Sequence, residues 1–294
     1  MGYILAADVG GTKLATALFQ SDGTVMKATE IPSEKTDGEK LFQSLIHSFQ
    51  RLCEEADVNL SEISGVSVGI PGIVDVGNGI AIFQNNLPWR EFPLVERLAN
   101  VFPASQIVID NDVYMAAWGE YAIRGFVKES FAYVTLSTGI SCCSIHQGAF
   151  LRGAGMAGEI GFSLTDTVDT TLESLVSGPA LEAKGRQVVG NPTLTLKSMM
   201  EDYYAGNEQI VAIVNEAVTS LAKEVYHILI LSDPHCIVLG GGVFNHHPAL
   251  VEAVRKEVGR YLQHPMLQGK EQRIEASVNK GEAGLYGAAA RVMN

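Results

Sequence analysis

One carboxylate stands at the end of an apolar run, directly before a glycine turn. The run that begins at Tyr3 ends in Asp8, Gly10 and Gly11 follow, and a second apolar run starts after Lys13. Glycine lets a backbone approach a ligand closely, and the amide groups of such a turn can hold phosphate oxygens. A carboxylate beside them suits Mg²⁺, which prefers oxygen ligands and often bridges to phosphates. The pattern indicates a magnesium and phosphate site; a plain β-hairpin with a Gly-Gly turn is the structural alternative.

Three consecutive polar residues, Asp110, Asn111 and Asp112, separate a predicted strand over 106–110 from a predicted helix over 113–123. Active-site groups collect at the carboxyl ends of strands in open α/β sheets. The three side chains could act as one base, one hydrogen-bonding amide and one supporting acid. Asp and Asn are also favoured helix N-caps, and both roles are compatible because one residue can cap while another faces a ligand.

Glycines recur beside polar residues in the second half of the chain. Thr138-Gly139 forms a turn after a predicted strand, and Glu159 stands inside a run of small residues over 153–161. Gly240-Gly241-Gly242 follows another buried strand and gives the backbone room for a flat ring or a ribose. Simple turns and a flexible glycine loop are the structural alternatives for these segments.

The elements that position these residues alternate between strands and helices. A strand, a Gly/Thr turn, a strand, a Gly turn and a third strand occur at the N-terminus and again from Phe131. This repeat of pattern predicts two related halves, each with its own turn toward a nucleoside triphosphate. Apolar periodicity predicts helices over 37–56, 94–101, 113–123, 207–231, 248–262 and 284–292.

Composition excludes several classes of protein. The 294 residues carry a formal charge of −12, which disfavours DNA, RNA and acidic membranes as partners. The four cysteines form no C-x-x-C pair, so we expect buried thiols in a reducing compartment. We expect a cytoplasmic protein, because no signal peptide or membrane-length apolar run is evident. No Walker P-loop is present, and no G-x-G-x-x-G motif follows a predicted strand into a helix, as a Rossmann fold would require.

Taken together, the motifs resemble the ROK family (repressor, open reading frame, kinase), in order and essentially from end to end. They are Asp8-x-Gly10-Gly11-Thr12-Lys13, Pro71-Gly72, Asn111-Asp112, Thr138-Gly139, Ala157-Gly158-Glu159-Ile160-Gly161, Ser177-Gly178 and Gly240-Gly241-Gly242-Val243. The resemblance implies an α/β fold with two domains, the actin-like ATPase (ribonuclease H-like) sugar kinase fold with an interdomain cleft. We expect an N-terminal domain over 1–114 and a C-terminal domain over 115–283, with the last helix, 284–294, packing on the N-terminal domain.

The same resemblance implies roles for individual residues. Asp112 would be the catalytic base, and a base in reach of a sugar hydroxyl contributes about 10²–10⁴-fold to the rate. The sugar site would comprise Gly72, Asn86, Asn111, Asp112, Glu159 and Glu173. The nucleotide site would comprise Asp8, Gly10, Gly11, Thr12, Lys13, Thr138, Gly139, Gly240, Gly241 and Gly242, with ATP as donor and Asp8 near Mg²⁺.

The sequence departs from the family pattern in two places. Many members have a zinc site, built from a His shortly after Glu-Ile-Gly and a following cysteine motif. Here Phe162 stands in place of that His, and the segment 163–171 has no cysteine, so we expect no structural zinc. Because that His would also touch the sugar, the presence of Phe162 leaves the identity of the sugar substrate undetermined. A modified sugar or a glycoside is one alternative. Ser137, Ser141, Cys142 and Cys143 also replace a smaller, glycine-rich pattern.

The resemblance therefore predicts an ATP-dependent sugar kinase, glucokinase-like, that acts on the 6-hydroxyl of a hexose and forms a homodimer. Kinases for N-acetylmannosamine, fructose or β-glucosides are the alternatives within the family. A transcriptional repressor or a non-catalytic sugar sensor is the alternative from another class. The family's repressors place a DNA-binding domain before the first strand, whereas this strand begins at residue 3 and the charge is −12. A sensor that had lost catalysis would be expected to lack Asp112.

Overall fold

A computed structural model describes residues 2–166, 169–279 and 281–293 of the chain. Residue 294, the end of the predicted last helix, lies outside the described residues. The strands are β1 (Tyr3–Val9), β2 (Lys13–Gln20), β3 (Val25–Pro32), β4 (Ile63–Ile70), β5 (Ile73–Asp75), β6 (Ile80–Phe83), β7 (Arg90–Phe92), β8 (Gln106–Asn111), β9 (Phe131–Leu136), β10 (Ile140–His146), β11 (Ala149–Phe150), β12 (Cys236–Gly240) and β13 (Ile274–Ala276). The helices are α1 (Gly38–Glu55), α2 (Leu94–Val101), α3 (Asp112–Ile123), α4 (Leu172–Val176), α5 (Gly178–Val189), α6 (Leu196–Tyr204), α7 (Glu208–Ser232), α8 (Gly241–His246), α9 (Pro248–Tyr261) and α10 (Ala283–Met293).

The chain forms two compact units. The first runs to Gly125 and takes up the chain again from Glu282, and the second runs from Phe126 to Gly281. The predicted boundary of the first domain, residue 114, lies inside α3. The difference has a physical reason: α3 packs along α10, so the whole helix belongs with the first unit.

A five-stranded sheet, in the order β3-β2-β1-β4-β8, forms the centre of the first unit. β1 to β3 are antiparallel, whereas β4 and β8 run parallel to β1. β1 is apolar on both faces because Leu5 and Ala7 join the core beneath α1, while Ile4 and Ala6 pack with residues of α3 and α10. A small sheet, β5-β6-β7, holds the loops that contain Gly72 and Asn86.

Small residues allow α10 to lie close to α3. A Cβ added at Gly119 would stand 2.5 Å from the carbonyl oxygen of Ala283, and one added at Gly287 would overlap the Met115 backbone. α10 also contacts β1 and β4 within the first unit. Alanine at either glycine would therefore force the two helices apart.

The second unit repeats the sheet of the first, with the strand order β11-β10-β9-β12-β13. Again an antiparallel trio is followed by two parallel strands. The repeat that the sequence pattern predicted is therefore present in the strand order. α7 supplies a large part of the core through its buried apolar face.

Two of the glycine-containing motifs lie at helix starts. Ser177 to Pro179 begins α5, because the Ser177 hydroxyl accepts a hydrogen bond from the amide of Ala180 and proline is compatible with the first turn. Gly240 to Gly242 forms the end of β12 and the start of α8 rather than a simple turn. Among the described residues, no helix combines the length and apolar character needed to cross a bilayer.

Candidate active site

The glycine turn after β1 is held by backbone and serine hydrogen bonds. The amide of Gly10 donates to the carbonyl of Lys13 at 2.9 Å. Ser33, directly after β3, supports the turn, because its hydroxyl donates to the Gly10 carbonyl at 2.6 Å and its amide donates to the Thr12 carbonyl at 3.1 Å. The Lys13 ammonium lies 2.8 Å from the Glu30 carboxylate in an exposed ion pair. The structure therefore fixes the turn's backbone and engages the Lys13 side chain with β3.

Asn111 and Asp112 lie at the junction of β8 and α3. Asn111 caps α3, since its side-chain oxygen accepts from the Val113 amide at 2.9 Å. Its amide nitrogen donates to the carbonyl of Gly72 at 2.9 Å, which ties the junction to the loop after β4. The Asp112 carboxylate also accepts from the Val113 amide at 2.9 Å. The alternative of helix capping is thus correct for Asn111, and Asp112 follows as the first residue of the helix.

The carboxyl ends of β1, β4 and β8 are neighbours, so Asp8 lies near the start of α3. Burial raises the pKa of Asp8 to about 7, and repulsion from the Asp112 carboxylate is the second cause. Glu30 raises this pKa further, while Lys13 lowers it. Two carboxylates in electrostatic contact at one strand edge make a site that favours a cation.

The loops that contain Gly72 and Asn86 close on the same edge of the sheet. Gly72 has a φ of +81°, a conformation that favours glycine. Asn86 packs on the glycine turn, because a Cβ added at Gly11 would stand 2.8 Å from its Cβ. Trp89 anchors this loop, buried and with its indole N–H donating to the Gly38 carbonyl at 2.9 Å. The first unit therefore brings together the site residues predicted within it. The exception is the side chain of Lys13, which forms an ion pair with Glu30.

In the second unit, Glu173 lies against the turn formed by Thr138 and Gly139. The amide of Ile140, directly after the turn, donates to the Glu173 Oε2 at 3.1 Å. A Cβ added at Gly139 would stand 2.5 Å from the same oxygen. Thr138 itself is exposed. The predicted phosphate turn and one predicted sugar ligand are thus in direct contact.

Glu159 follows Gly158, and no residue with a side chain fits at that position unless the neighbouring backbone moves. Gly158 has a φ of +88°, and a Cβ there would overlap the backbone of Cys142 in β10. Partial burial raises the pKa of the Glu159 carboxyl, and the Glu173 carboxylate raises it further. Phe162, three residues on, keeps 68% of its surface exposed. The structure therefore brings Glu159 and Glu173 together and leaves an aromatic ring open to a ligand.

A cavity of about 730 Å³ opens beside the start of α8. Gly241 has a φ of +85° and packs against Leu136, whereas Gly242 has open space where a side chain would be. Thr138 and Gly242 are the predicted residues that line this cavity. The other lining residues, contributed mainly by α5, α6 and α8, are Ser137, Gly178, Pro179, Glu182, Leu196, Lys197, Glu201, Tyr204, Val243, His246 and His247.

Most of these lining residues belong to none of the sequence motifs. α6 has no motif, so nothing in the sequence marked Tyr204, whose ring centroid lies 6.1 Å from that of His247. Burial, followed by the neighbouring His246, lowers the pKa of His247. The His246 Nδ1 lies 2.6 Å from the Gly242 carbonyl and therefore carries a proton. Both histidines line the cavity.

Within residues 2–166, 169–279 and 281–293, no group of three or more His, Cys, Asp or Glu side chains is placed to hold a metal ion. Asp8 and its neighbour Asp112 therefore offer a cation at most two protein carboxylates. This donor set fits Mg²⁺, which usually takes only one or two carboxylates and fills its other positions with water and substrate phosphates. The raised pKa of Asp8 agrees with a cation site, because a bound cation would offset both the cost of burying the charged carboxylate and the repulsion from Asp112.

A family model for the ROK family matches residues 4–294, and the chain belongs to this family. An N-acetylmannosamine kinase of Escherichia coli (strain SMS-3-5 / SECEC) is 30% identical over 297 residues, which cover 97% of this chain and 96% of that protein. A glucokinase of Halalkalibacterium halodurans is 26% identical over 310 residues, covering 97% and 93%. The crystal structure of a ROK hexokinase from Thermus thermophilus superposes with a TM-score of 0.82 at 27% identity, covering 99% and 97%.

These similarities confirm the recognised family and the predicted actin-like sugar kinase fold. The predicted enzyme class, an ATP-dependent sugar kinase, agrees with the names of the relatives. Those names include both N-acetylmannosamine kinase and glucokinase, so two of the predicted substrates are represented among them.

Proposed function

We propose that this protein transfers the γ-phosphoryl group of ATP to a hydroxyl of a hexose, with Asp112 as the general base. The Asn111–Asp112 pair at the start of α3 is the observation that supports this proposal most strongly. A capped helix and a bond to the Gly72 carbonyl hold the pair at the edge where β1, β4 and β8 end. The similarity of the chain to sugar kinases of the ROK family supports the same reaction.

The residues of this junction would have different roles toward the acceptor sugar. A sugar hydroxyl is a weak nucleophile, and Asp112 would take its proton as the bond to phosphorus forms. The Asn111 amide is fixed by one bond given and one accepted, so it would bind a neighbouring hydroxyl without reorganising. Gly72 and Asn86 border the same edge, and Glu159 and Glu173 would bind further hydroxyls.

The donor would occupy the turns and the cavity. The 730 Å³ cavity is of the size typical for cofactor sites, and Tyr204 and His247 offer rings for the base. Thr138 and Gly139, with the turn of Gly10, Gly11 and Thr12, would hold phosphate oxygens. Asp8 would hold Mg²⁺, and the ion would neutralise charge on the phosphates.

Glucose, phosphorylated on its 6-hydroxyl, is our first candidate for the acceptor. N-Acetylmannosamine is the second, because a relative 30% identical over nearly its whole length is an N-acetylmannosamine kinase. The exposed Phe162 ring favours this second candidate, since an apolar surface beside Glu159 would contact an acetyl group better than an imidazole would.

The test is ADP release with Mg-ATP across glucose, mannose, fructose, N-acetylglucosamine, N-acetylmannosamine, allose and cellobiose. We expect one sugar to dominate and NMR of its product to show the phosphate on the 6-hydroxyl. Tyr204→Ala should raise the KM for ATP roughly tenfold and leave the KM for the sugar unchanged, because stacking on a base contributes about 1–3 kcal/mol. Tyr203→Ala is the matched control, because the neighbouring Tyr203 is absent from the cavity lining. A binding protein without turnover would contradict the proposal.

A further inference from the structure

We propose that Glu173 is a positioning residue for the phosphoryl donor as well as a ligand of the sugar. Its Oε2 holds the turn of residues 137–139, which would receive phosphate, and the same carboxylate would bind the acceptor. This inference rests on the proposed function, and it goes further by linking the two substrates through one side chain.

The contact between Glu173 and the turn is specific. Its Oε2 accepts the Ile140 N–H at 3.1 Å, and a carboxylate that accepts from a backbone amide makes one of the stronger hydrogen bonds in proteins. Gly139 has no room for a side chain beside that oxygen, since its Cβ would stand 2.5 Å away. The carboxylate thus fills the space behind the turn.

The segment that joins α4 to α5 holds the other end of the turn of residues 137–139. The Gly178 amide, at the start of α5, donates to the Ser137 carbonyl at 2.9 Å. Within the turn, the Ser137 amide donates to the Gly139 carbonyl at 2.8 Å. The Ser177 amide donates to the Glu173 carbonyl at 3.1 Å and joins α4 to α5. The α4–α5 corner therefore holds the turn at both ends.

Glu173 also contacts the segment that follows Glu159. A Cβ added at Gly161 would stand 3.2 Å from the Glu173 Oε2 and 3.0 Å from the Ile140 carbonyl oxygen. Glu173 is exposed despite these contacts, so a ligand can reach it. A sugar that pulls on its carboxylate would shift the Ile140 amide and hence the turn. Binding of acceptor and donor would be coupled, and such coupling is reciprocal.

Three substitutions separate the two roles. Glu173→Gln keeps an oxygen that can accept the Ile140 N–H but removes the charge. Glu173→Asp keeps the charge but is one methylene too short to reach that amide. Glu173→Ala removes both functions. Glu252→Ala, which removes a carboxylate from an exposed pair with Arg255, is the control.

The first readout is the Kd of Mg·AMPPNP measured by calorimetry without sugar, which needs no turnover. We expect Glu173→Asp and Glu173→Ala to weaken donor binding roughly tenfold, and Glu173→Gln to stay within about twofold of wild type. The second readout is the KM for the sugar, which all three should raise. Thermal melts establish that each variant is folded.

If Glu173→Asp and Glu173→Ala bind the donor as wild type does while the sugar KM rises, Glu173 is a sugar ligand only and the inference is wrong. Equal weakening of donor binding in all three variants would also contradict it, because Gln retains the acceptor. A wild-type protein that binds neither Mg·AMPPNP nor sugar would overturn the proposed function itself, so the two failures are distinguishable.

Discussion

Replacement of Asp8 by Asn should remove a pH dependence from the stability of the first unit. Asp8 is shifted from its ordinary pKa of 3.8 to about 7, first because it is buried and second because Asp112 repels it. The folded state therefore holds this proton more tightly than the unfolded state does. Stability from this group is fully present below about pH 4 and falls as pH rises, levelling off above about pH 7.

The size of the effect follows from the two pKa values. Between pH 5 and pH 8 the wild-type protein should lose about 2.5 kcal/mol through Asp8 alone, since one pKa unit corresponds to about 1.4 kcal/mol. Asp8→Asn is neutral in both states, so it should lack this loss and be the more stable protein at pH 8. Repulsion from Asp112 contributes, so Asp112→Asn should reduce the slope in part.

Tryptophan fluorescence suits this measurement, because the two tryptophans of the chain, Trp89 and Trp118, both lie in the first unit. Urea unfolding is followed at pH 5, 6, 7 and 8 with a chelator present, so that no cation binds Asp8. Asp57→Asn, in a loop of the same unit, is the control and should keep the wild-type slope. Equal slopes in wild type and Asp8→Asn would refute the reasoning.

Two further substitutions test packing beside the site. Gly158→Ala should destabilise the second unit by more than about 3 kcal/mol in urea or leave it unfolded, because it combines a positive φ with overlap on the Cys142 backbone. Gly155→Ala is the control, because Gly155 also has a positive φ but has open space where the Cβ would stand. Similar losses of stability in both variants would show that the overlap is not the cause. Gln84 is fully buried and neither polar atom of its amide has a hydrogen-bond partner among the described residues, so Gln84→Met should raise stability by about 1–3 kcal/mol by tryptophan-monitored unfolding. A loss of stability in Gln84→Met would show that the amide is satisfied in solution.

The sequence predicted the strands of both sheets well, because their apolar runs are short and end in glycine or polar residues. β9 begins at Phe131, where the sequence pattern predicted the start of the second repeat, and the repeated pattern appears as two sheets with the same strand order. The position of Asn111 and Asp112, at the junction of a strand and a helix, was predicted for the same reason. A polar pair after a buried strand is a pattern of neighbouring residues, so its position can be predicted without knowledge of the tertiary packing.

The cavity could not be predicted, because packing determines which residues line it. α5 was missed since Gly178-Pro179 resembles a break, and only the cap from Ser177 makes it a helix start. Tyr204 and His247 are far apart in the chain and meet only through α6 and α8. The contact of Glu173 with Ile140 likewise joins residues that no motif connects.

The most direct test of the central claim is sugar-dependent ADP release by wild type and Asp112→Asn at saturating Mg-ATP. With the preferred sugar of the panel, Asp112→Asn should lower kcat by about 10²–10⁴-fold, because the hydroxyl loses its base. Binding of Mg·AMPPNP should be unchanged, which shows that the donor site is intact. A variant that keeps near wild-type turnover would contradict Asp112 as the base, and a wild-type protein that binds sugar but releases no ADP would contradict the kinase itself.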